Sequence, residues 1–346
     1  MHRKIILSLC LAFLSLALVF GQAYPIEQIT IEQKSVSLQS GIEDSGSLRV
    51  FLCPRDDCEG HILRLLGQAE QSIHCALYDI GLTSLQQLLI EKAKSIDVRL
   101  VTDNNYLQKF NKIFVKPDAF GEMHNKFCII DQQWLFTGST NPTENGVQKN
   151  NNNLLITDLP TLVGNYEDEF AELWNGTFKK GREVKNQIIF AENTTIQNYF
   201  CPEDNCAQQI SRELEKAKRS IYFMTFSFTH EKIANILLLK NLDGVSVEGV
   251  IERRQATKDS PFQRFNQNGI STLKDGNPQT MHHKVFIIDD RTVITGSMNP
   301  TNNGNERNDE NVLIIDSEEI AQQFLNEYRR VRAEAERAAN IAIAVM

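Results

Sequence analysis

Short apolar runs of strand length alternate along the chain with stretches whose apolar residues recur at helical spacing. Strands are predicted at Leu48–Leu52, Ser72–Tyr78, Val98–Thr102, Phe127–Ile130 and Asn153–Thr157, with helices at about Gly60–Ala69, Ser84–Lys94 and Pro160–Trp174. From Asn198 the order starts again, Ser220–Phe226 matching Ser72–Tyr78 and Val245–Ile251 matching Val98–Thr102. Strand–helix alternation of this kind predicts an α/β fold of two repeated α/β/α sandwich domains with mixed, mostly parallel sheets. The boundaries read as 24–47 for a polar lead-in with room for an edge strand, 48–180 for the first repeat, 181–197 for a linker and 198–340 for the second repeat.

One stretch occurs twice with identical spacing. MHNKFCIIDQQWLFTGSTN and MHHKVFIIDDRTVITGSMN both read H-x-K-x4-D-x6-G-S-x-N: His124, Lys126, Asp131, Gly138, Ser139 and Asn141, then His282, Lys284, Asp289, Gly296, Ser297 and Asn299. Residues two apart on a strand share a face, so each copy offers an imidazole beside an ammonium, a pairing suited to an anionic substrate. Gly-Ser-x-Asn before a proline reads as a turn that brings a hydroxyl, an amide and backbone N–H groups near the imidazole, donors that suit phosphate oxygens. Asp131 and Asp289 complete the motif and are candidates for catalytic support, although they lie seven residues beyond the histidines and are expected to brace the site without touching substrate.

These residues resemble the HKD signature of the phospholipase D superfamily over roughly Leu48 to Arg332. The resemblance implies one active site assembled from both motifs across a pseudo-twofold axis, a dimer within one chain. It implies that one histidine attacks phosphorus while the other protonates the leaving group, and that no metal or other cofactor is needed. By the same likeness Glu310, 28 residues after His282, is the carboxylate that holds the His282 ring, and Asn152 takes that place behind His124. The rival for the carboxylate role is Asp309. His124 is expected to be the nucleophile and His282 the acid and then base.

The N-terminus changes the picture of where this happens. Arg3 and Lys4 precede an apolar run from Ile5 to Phe20 and a small-x-small site at Gly21-Gln22-Ala23, the pattern of a secretory signal over 1–23. An uncleaved anchor, with membrane association, is the alternative, and both put the catalytic part outside the cytosol. Of seven cysteines Cys10 falls in that segment; Cys53, Cys58, Cys201 and Cys206 form two C-x4-C pairs that read as disulfides, a four-cysteine zinc site being the rival. Cys75 and Cys128 sit in apolar runs and read as free core thiols.

With 36 basic and 44 acidic residues the chain carries a net charge of −8, which excludes a basic coat over the whole surface, so a polyanion has to be met locally. The second repeat supplies a place for that. Cys201 minus Cys53 is 148 whereas His282 minus His124 is 158, so about ten extra residues fall between Glu252 and His282. The stretch between Glu252 and His282 holds Arg253, Arg254, Lys258, Arg264 and Lys274 against Asp259 and Asp275, with Phe262 and Phe265 between, a mixture suited to a nucleic-acid strand, the bland reading being a solvated loop with both rings tucked onto the core. Asn175 and Asn193 head sequons near the linker. His61, His74, His230 and His283 read as structural or surface residues.

The resulting expectation is an exported, monomeric phosphodiesterase working through a phosphohistidine. Ser139, Asn141, Asn152, Ser297, Asn299, Arg253 and Arg254 are its candidate substrate contacts. The strings MHNKF, GSTNPTENG and FAELWNGTF resemble secreted endonuclease members of the superfamily, so nucleic acid is the favoured substrate and phospholipid, cleaved or exchanged at the head group, the alternative. An inert binding module would be expected to show a broken motif, and both motifs are whole.

Overall fold

The computed structural model describes residues 41–119 and 121–345; the expected signal segment and most of the lead-in lie outside them. The first sheet runs in the order Leu48–Cys53, Asn152–Thr157, Trp134–Gly138, Lys126–Ile130, Ser72–Leu77, Asp97–Thr102, Val115–Pro117. The second repeats it strand for strand: Thr194–Cys201, Asn308–Asp316, Thr292–Gly296, Lys284–Ile288, Ser220–Thr225, Ser246–Ile251, Ser271–Lys274. It also extends at one edge, where Ile188–Ala191 pairs with Thr194–Cys201 and Ile42–Glu43 pairs with Ile188–Ala191. The residues expected to be a linker are thus partly a sheet edge, and the end of the lead-in is an edge strand.

The sheets are mixed, but the expectation of mostly parallel pairing is corrected. In the first sheet only the neighbours Ser72–Leu77, Asp97–Thr102 and Val115–Pro117 run parallel, and in the second their counterparts Ser220–Thr225, Ser246–Ile251 and Ser271–Lys274 and the short edge pairings of Ile42–Glu43 and Glu122–Met123; the other pairings are antiparallel. The reason is local. The motif strand does not cross over through a helix but turns back at once: Ile130 pairs with Trp134, and Asp131 and Gln132, both with positive φ (52° and 55°), are the central residues of a tight turn closed by the Gln133 N–H on the Ile130 carbonyl at 2.9 Å. Asp289 and Asp290 do the same at 53° and 59°. No glycine marks either turn, so nothing in the local composition announced a hairpin.

Period-2 alternation then sorts the side chains into two layers. In Lys126–Ile130, Phe127 and Ile129 enter a central core shared by both repeats, and Cys128 and Ile130 an outer core under the helices Cys58–Gly67 and Thr83–Lys92. The strand is buried on both faces, which is why it reads as a continuous apolar run. The helices Pro160–Trp174 and Glu318–Val345 supply the central core with residues such as Tyr166, Phe170, Phe324 and Tyr328.

Disulfides join Cys53 to Cys58 and Cys201 to Cys206 as expected, and a third joins Cys75 to Cys128. The reading of the last two as free thiols is therefore wrong. They are register partners on neighbouring antiparallel strands, a juxtaposition that local sequence does not show. Three disulfides fit an oxidising, extracytosolic compartment.

Candidate active site

Each motif enters its sheet clasped to the other repeat. The His124 backbone N–H donates to the Asp309 carbonyl at 3.0 Å, and that of His282 to the Asn151 carbonyl at 2.8 Å. The side chains cross as well. His124 Nδ1 lies 2.8 Å from Glu310 Oε2, and His282 Nδ1 lies 2.9 Å from Asn152 Oδ1 and 3.2 Å from the Ser139 carbonyl. The expected pairing of Glu310 with His282 and Asn152 with His124 is thus reversed, because the strands Asn152–Thr157 and Asn308–Asp316 deliver these two side chains across the pseudo-twofold axis. Asp309 does not touch the ring; its Oδ1 accepts from the Lys179 backbone N–H at 2.6 Å.

Behind each ring stands a fully buried layer that corrects a second expectation. Ser139, Ser297 and Asn152 are 0% exposed and are not substrate contacts. Ser139 Oγ donates to Asn152 at 3.0 Å and Ser297 Oγ to Glu310 at 2.6 Å, so the serines hold the groups that hold the imidazoles. The glycine before each serine makes the approach possible. Gly138 has φ +129° and a Cβ there would sit 2.5 Å from the Asn153 carbonyl; Gly296 has φ +141° and would meet the Asn311 carbonyl at 2.2 Å. Asn141 and Asn299 are half-buried at the site, and the Oδ1 atoms of both are buried without a partner among the described residues.

The ammonium groups share this enclosure. Lys126 donates to the His124 carbonyl, and Lys284 lies 3.0 Å from His282 Nε2 and 2.8 Å from its carbonyl. Burial pushes Lys126 down to about 7, opposed by Glu310 and Glu122, and pushes Lys284 well below its ordinary range. Both imidazoles are driven well down by burial and then by the two lysines, while burial raises Glu310 to about 7. Such a site is short of negative charge, and an anionic phosphodiester entering it raises the proton affinity of the lysines and of the imidazoles alike. His124 Nε2 has no partner among the described hydrogen bonds and is the ring atom left for chemistry.

Asp131 and Asp289 are not part of this cluster, a correction to their place among the catalytic candidates. They stand at the far end of the motif strand, about 16 Å along it at 3.3 Å per residue. Asp131 accepts from the backbone N–H groups of Glu70, Gln71 and Ser72, and Asp289 from those of Lys218, Arg219 and Ser220. Those bonds hold both carboxyls below their ordinary values against the effect of burial. They clamp the hairpin to the start of the neighbouring strand.

The basic insertion is partly consumed within the chain. Phe265 is 0% exposed in the core, Phe262 packs at its margin, and Arg264 pairs with Glu231 at 2.8 Å, so the interleaved aromatics are not a stacking platform. Arg253 and Arg254 remain exposed at the end of the strand Ser246–Ile251. The other described histidines are structural: His61 stacks on Phe51, His74 meets Glu167 at 2.6 Å, His230 caps the helix Glu231–Leu242, and His283 is buried against Asn153 and Glu327.

Two site neighbours went unread in the sequence. The rings of Tyr78 and Phe226 pack edge-on against His124 and His282 at 4.6 and 4.9 Å, and Lys126 and Lys284 lie over those rings at 5.0 and 5.3 Å. They are 148 apart, the repeat offset, which was the signal available. A surface hollow lined by Ser47, Phe190, Glu192 and Glu318 lies elsewhere.

Two α/β repeats that lend each other the groups behind paired His-x-Lys strands define a phosphodiesterase of the phospholipase D type. The family model "Cardiolipin synthase, PLD-like domain" matches residues 62–174 and 210–332, and the chain belongs to the phospholipase D superfamily. Phospholipase D of Rickettsia typhi is 27% identical over 196 residues, 53% of this chain and 95% of the relative. The phospholipase D family member Nuc from Salmonella typhimurium is 30% identical, covering 41% of this chain and 95% of its own, at a TM-score of 0.39. Phosphatidylserine synthase of Haemophilus influenzae Rd KW20 shares the fold across both repeats, at a TM-score of 0.62 and 13% identity over 84% of this chain and 85% of its own.

Proposed function

We propose that the chain cleaves phosphodiesters through a phosphohistidine on His124, and the observation that carries the proposal is the crossed pairing of His124 with Glu310 and His282 with Asn152. A carboxylate on Nδ1 fixes the proton there, presents the Nε2 lone pair to phosphorus, and stabilises the positive ring once it is phosphorylated. Nε2 of His124 forms the bond to phosphorus as the bond to the leaving oxygen breaks, and His282, protonated, gives its proton to that oxygen. His282 then takes a proton from water, which attacks phosphorus and releases His124. Lys126, Lys284, Asn141 and Asn299 hold the non-bridging oxygens and offset the charge that builds on them. One chain carries both halves, so a monomer suffices.

Nucleic acid is the substrate class we favour, supported by the exposed guanidinium groups of Arg253 and of Arg254, which bonds to Gln279 and Thr280 just before His282, in an otherwise acidic protein. Phospholipid is the second reading, favoured by the name phospholipase D borne by the Rickettsia typhi relative. Described residues 41–345 include no helix long and apolar enough to cross a membrane. The test is to incubate the purified protein, in excess chelator, with single-stranded DNA, duplex DNA, RNA and phosphatidylcholine. Cleavage of a nucleic acid is expected; hydrolysis of the lipid alone replaces the first reading with the second, and turnover that disappears on chelation and returns with a divalent ion removes the mechanism.

A further inference from the structure

At the catalytic ends of the two sheets the strand Asp97–Thr102 runs into Asp103-Asn104-Asn105, and its counterpart Ser246–Ile251 into Glu252-Arg253-Arg254. The two loops are built alike. Asp103 accepts from the Asn105 backbone N–H at 2.8 Å, and Glu252 from that of Arg254 at 2.7 Å. The Asn104 N–H goes to Asp118 at 2.9 Å, and the Arg253 N–H to Asp275 at 2.7 Å. On this shared frame one wall presents two amides and the other two exposed guanidiniums.

Arg254 is laid against the catalytic segment itself. Its Nη2 donates to Thr280 Oγ1 at 2.6 Å and the Gln279 carbonyl at 2.8 Å, and its Nε to Glu252 at 2.7 Å. Arg253 Nη2 donates to the Asn277 carbonyl at 2.9 Å. The Nη1 groups of both make no hydrogen bond among the described residues. Thr280 stands two residues before His282, and the position two before His124 is Glu122. The site therefore has a basic flank on the side of His282 and a carboxylate in the corresponding place on the side of His124.

We infer that Arg253 and Arg254 bind a second phosphate of the substrate, joined to the scissile phosphate through the group that leaves at His282. Placing it on the leaving side rests on the roles proposed for the two histidines. A planar guanidinium already fixed by backbone carbonyls meets phosphate oxygens with little further ordering, and Glu122 disfavours the same anion on the opposite side. Both a polynucleotide and a lipid whose head group carries a further phosphate supply this chemistry.

The experiment compares kcat/KM within substrate pairs that differ only by the second phosphate: dithymidylate against its 5′- and 3′-phosphorylated forms, and phosphatidylglycerol against cardiolipin in detergent micelles. Wild type, Arg253→Ala, Arg254→Ala, the double variant and Glu122→Gln are measured on each, with bis(4-nitrophenyl) phosphate alongside. The second phosphate is expected to raise kcat/KM about tenfold or more in the pair that contains the natural chemistry. That ratio should fall toward one in the double variant, and the products should carry the phosphate on the released fragment. A wild-type ratio near one in both pairs, a ratio that survives loss of both arginines, or a retained fragment carrying the phosphate overturns the inference. If no diester is cleaved, including the nitrophenyl one, the proposed function fails by itself. Equilibrium binding of the same dinucleotides to wild type and the double variant then decides the inference by the same ratio.

Discussion

The two halves of the site share strands, glycine, serine and asparagine, and differ where charge is placed. Behind His124 stands Glu310, and behind His282 the neutral Asn152. Glu122 precedes one histidine and Thr280 the other, while Arg254 occupies the place that Asn105 has in the first repeat. A duplicated frame can thus keep its geometry and still divide labour, because the groups that tune each ring come from the opposite repeat and can change one at a time.

The largest effect should come from the rings themselves. His282→Ala is expected to lower turnover of an unactivated diester by about 10² to 10⁴, the range of a lost general acid. On a nitrophenyl diester, whose leaving group needs little protonation, the same variant should still give a burst of phosphoenzyme in rapid-quench experiments, and His124→Ala none. A burst in His124→Ala alone would show that the roles are reversed. Next in size is the pair behind the rings. Glu310→Gln keeps a hydrogen bond but removes the charge that stabilises a phosphorylated ring, and should slow the burst by about 10²; Asn152→Ala should cost about tenfold, mainly in the second step. Equal effects on the burst would remove the asymmetry.

Much of this was legible before any coordinate. Two intact copies of one spacing named the chemistry, and periodicity placed the motif on a strand buried on both faces. What the sequence hid were relations across the pseudo-twofold axis. An offset count aligns Glu310 with Asn152 as repeat counterparts but cannot say which ring each one reaches, and the answer is the opposite of the nearer one in sequence. The hairpins at Asp131 and Asp289 were hidden for a local reason, since aspartate takes the left-handed turn where glycine would have announced it. Cys75 and Cys128 left a fainter trace. With Cys10 set aside an even number of cysteines remains, and two C-x4-C pairs leave two over.

That third disulfide breaks the symmetry in stability. Its partners are 53 residues apart, against 5 for each of the other two. Loop-closure entropy then assigns it about 4 kcal/mol against about 2 for a short loop. Cys75→Ala with Cys128→Ala should lower the unfolding free energy more than the corresponding pair at Cys201 and Cys206. Thiol counting on the unreduced, unfolded protein, without 1–23, should find no free thiol. Finding two would restore the free-thiol reading of Cys75 and Cys128.

The smallest expected effect lies just behind the catalytic strands, where Asn125 of the first repeat corresponds to His283 of the second. Asn125 accepts from Asn311 at 2.7 Å, whereas His283 meets Asn153 at 3.2 Å and Glu327 at 3.3 Å. Burial would raise the Glu327 carboxyl, but hydrogen bonds from His283 and Arg330 outweigh it and hold it down to about 2. Its contribution to stability is therefore whole above the ordinary value of 4.5 and is lost as pH falls toward 2. Burial lowers His283 from 6.5, so the folded state keeps it neutral and its contribution, whole above 6.5, shrinks as pH falls below that. His283→Asn gives the second repeat the residue of the first. At pH 8 the variant should be less stable by about 1 kcal/mol, one hydrogen-bonded contact. Between pH 6.5 and 5 the wild type loses stability to protonation of His283 and the variant does not, while Glu327 stays ionised in both. Urea unfolding at pH 8 and pH 5 should therefore show the difference between the two proteins narrowing at the lower pH. A difference that is the same at both would mean that His283 holds Glu327 by shape and not through its charge state, and that the two repeats are alike in this layer after all.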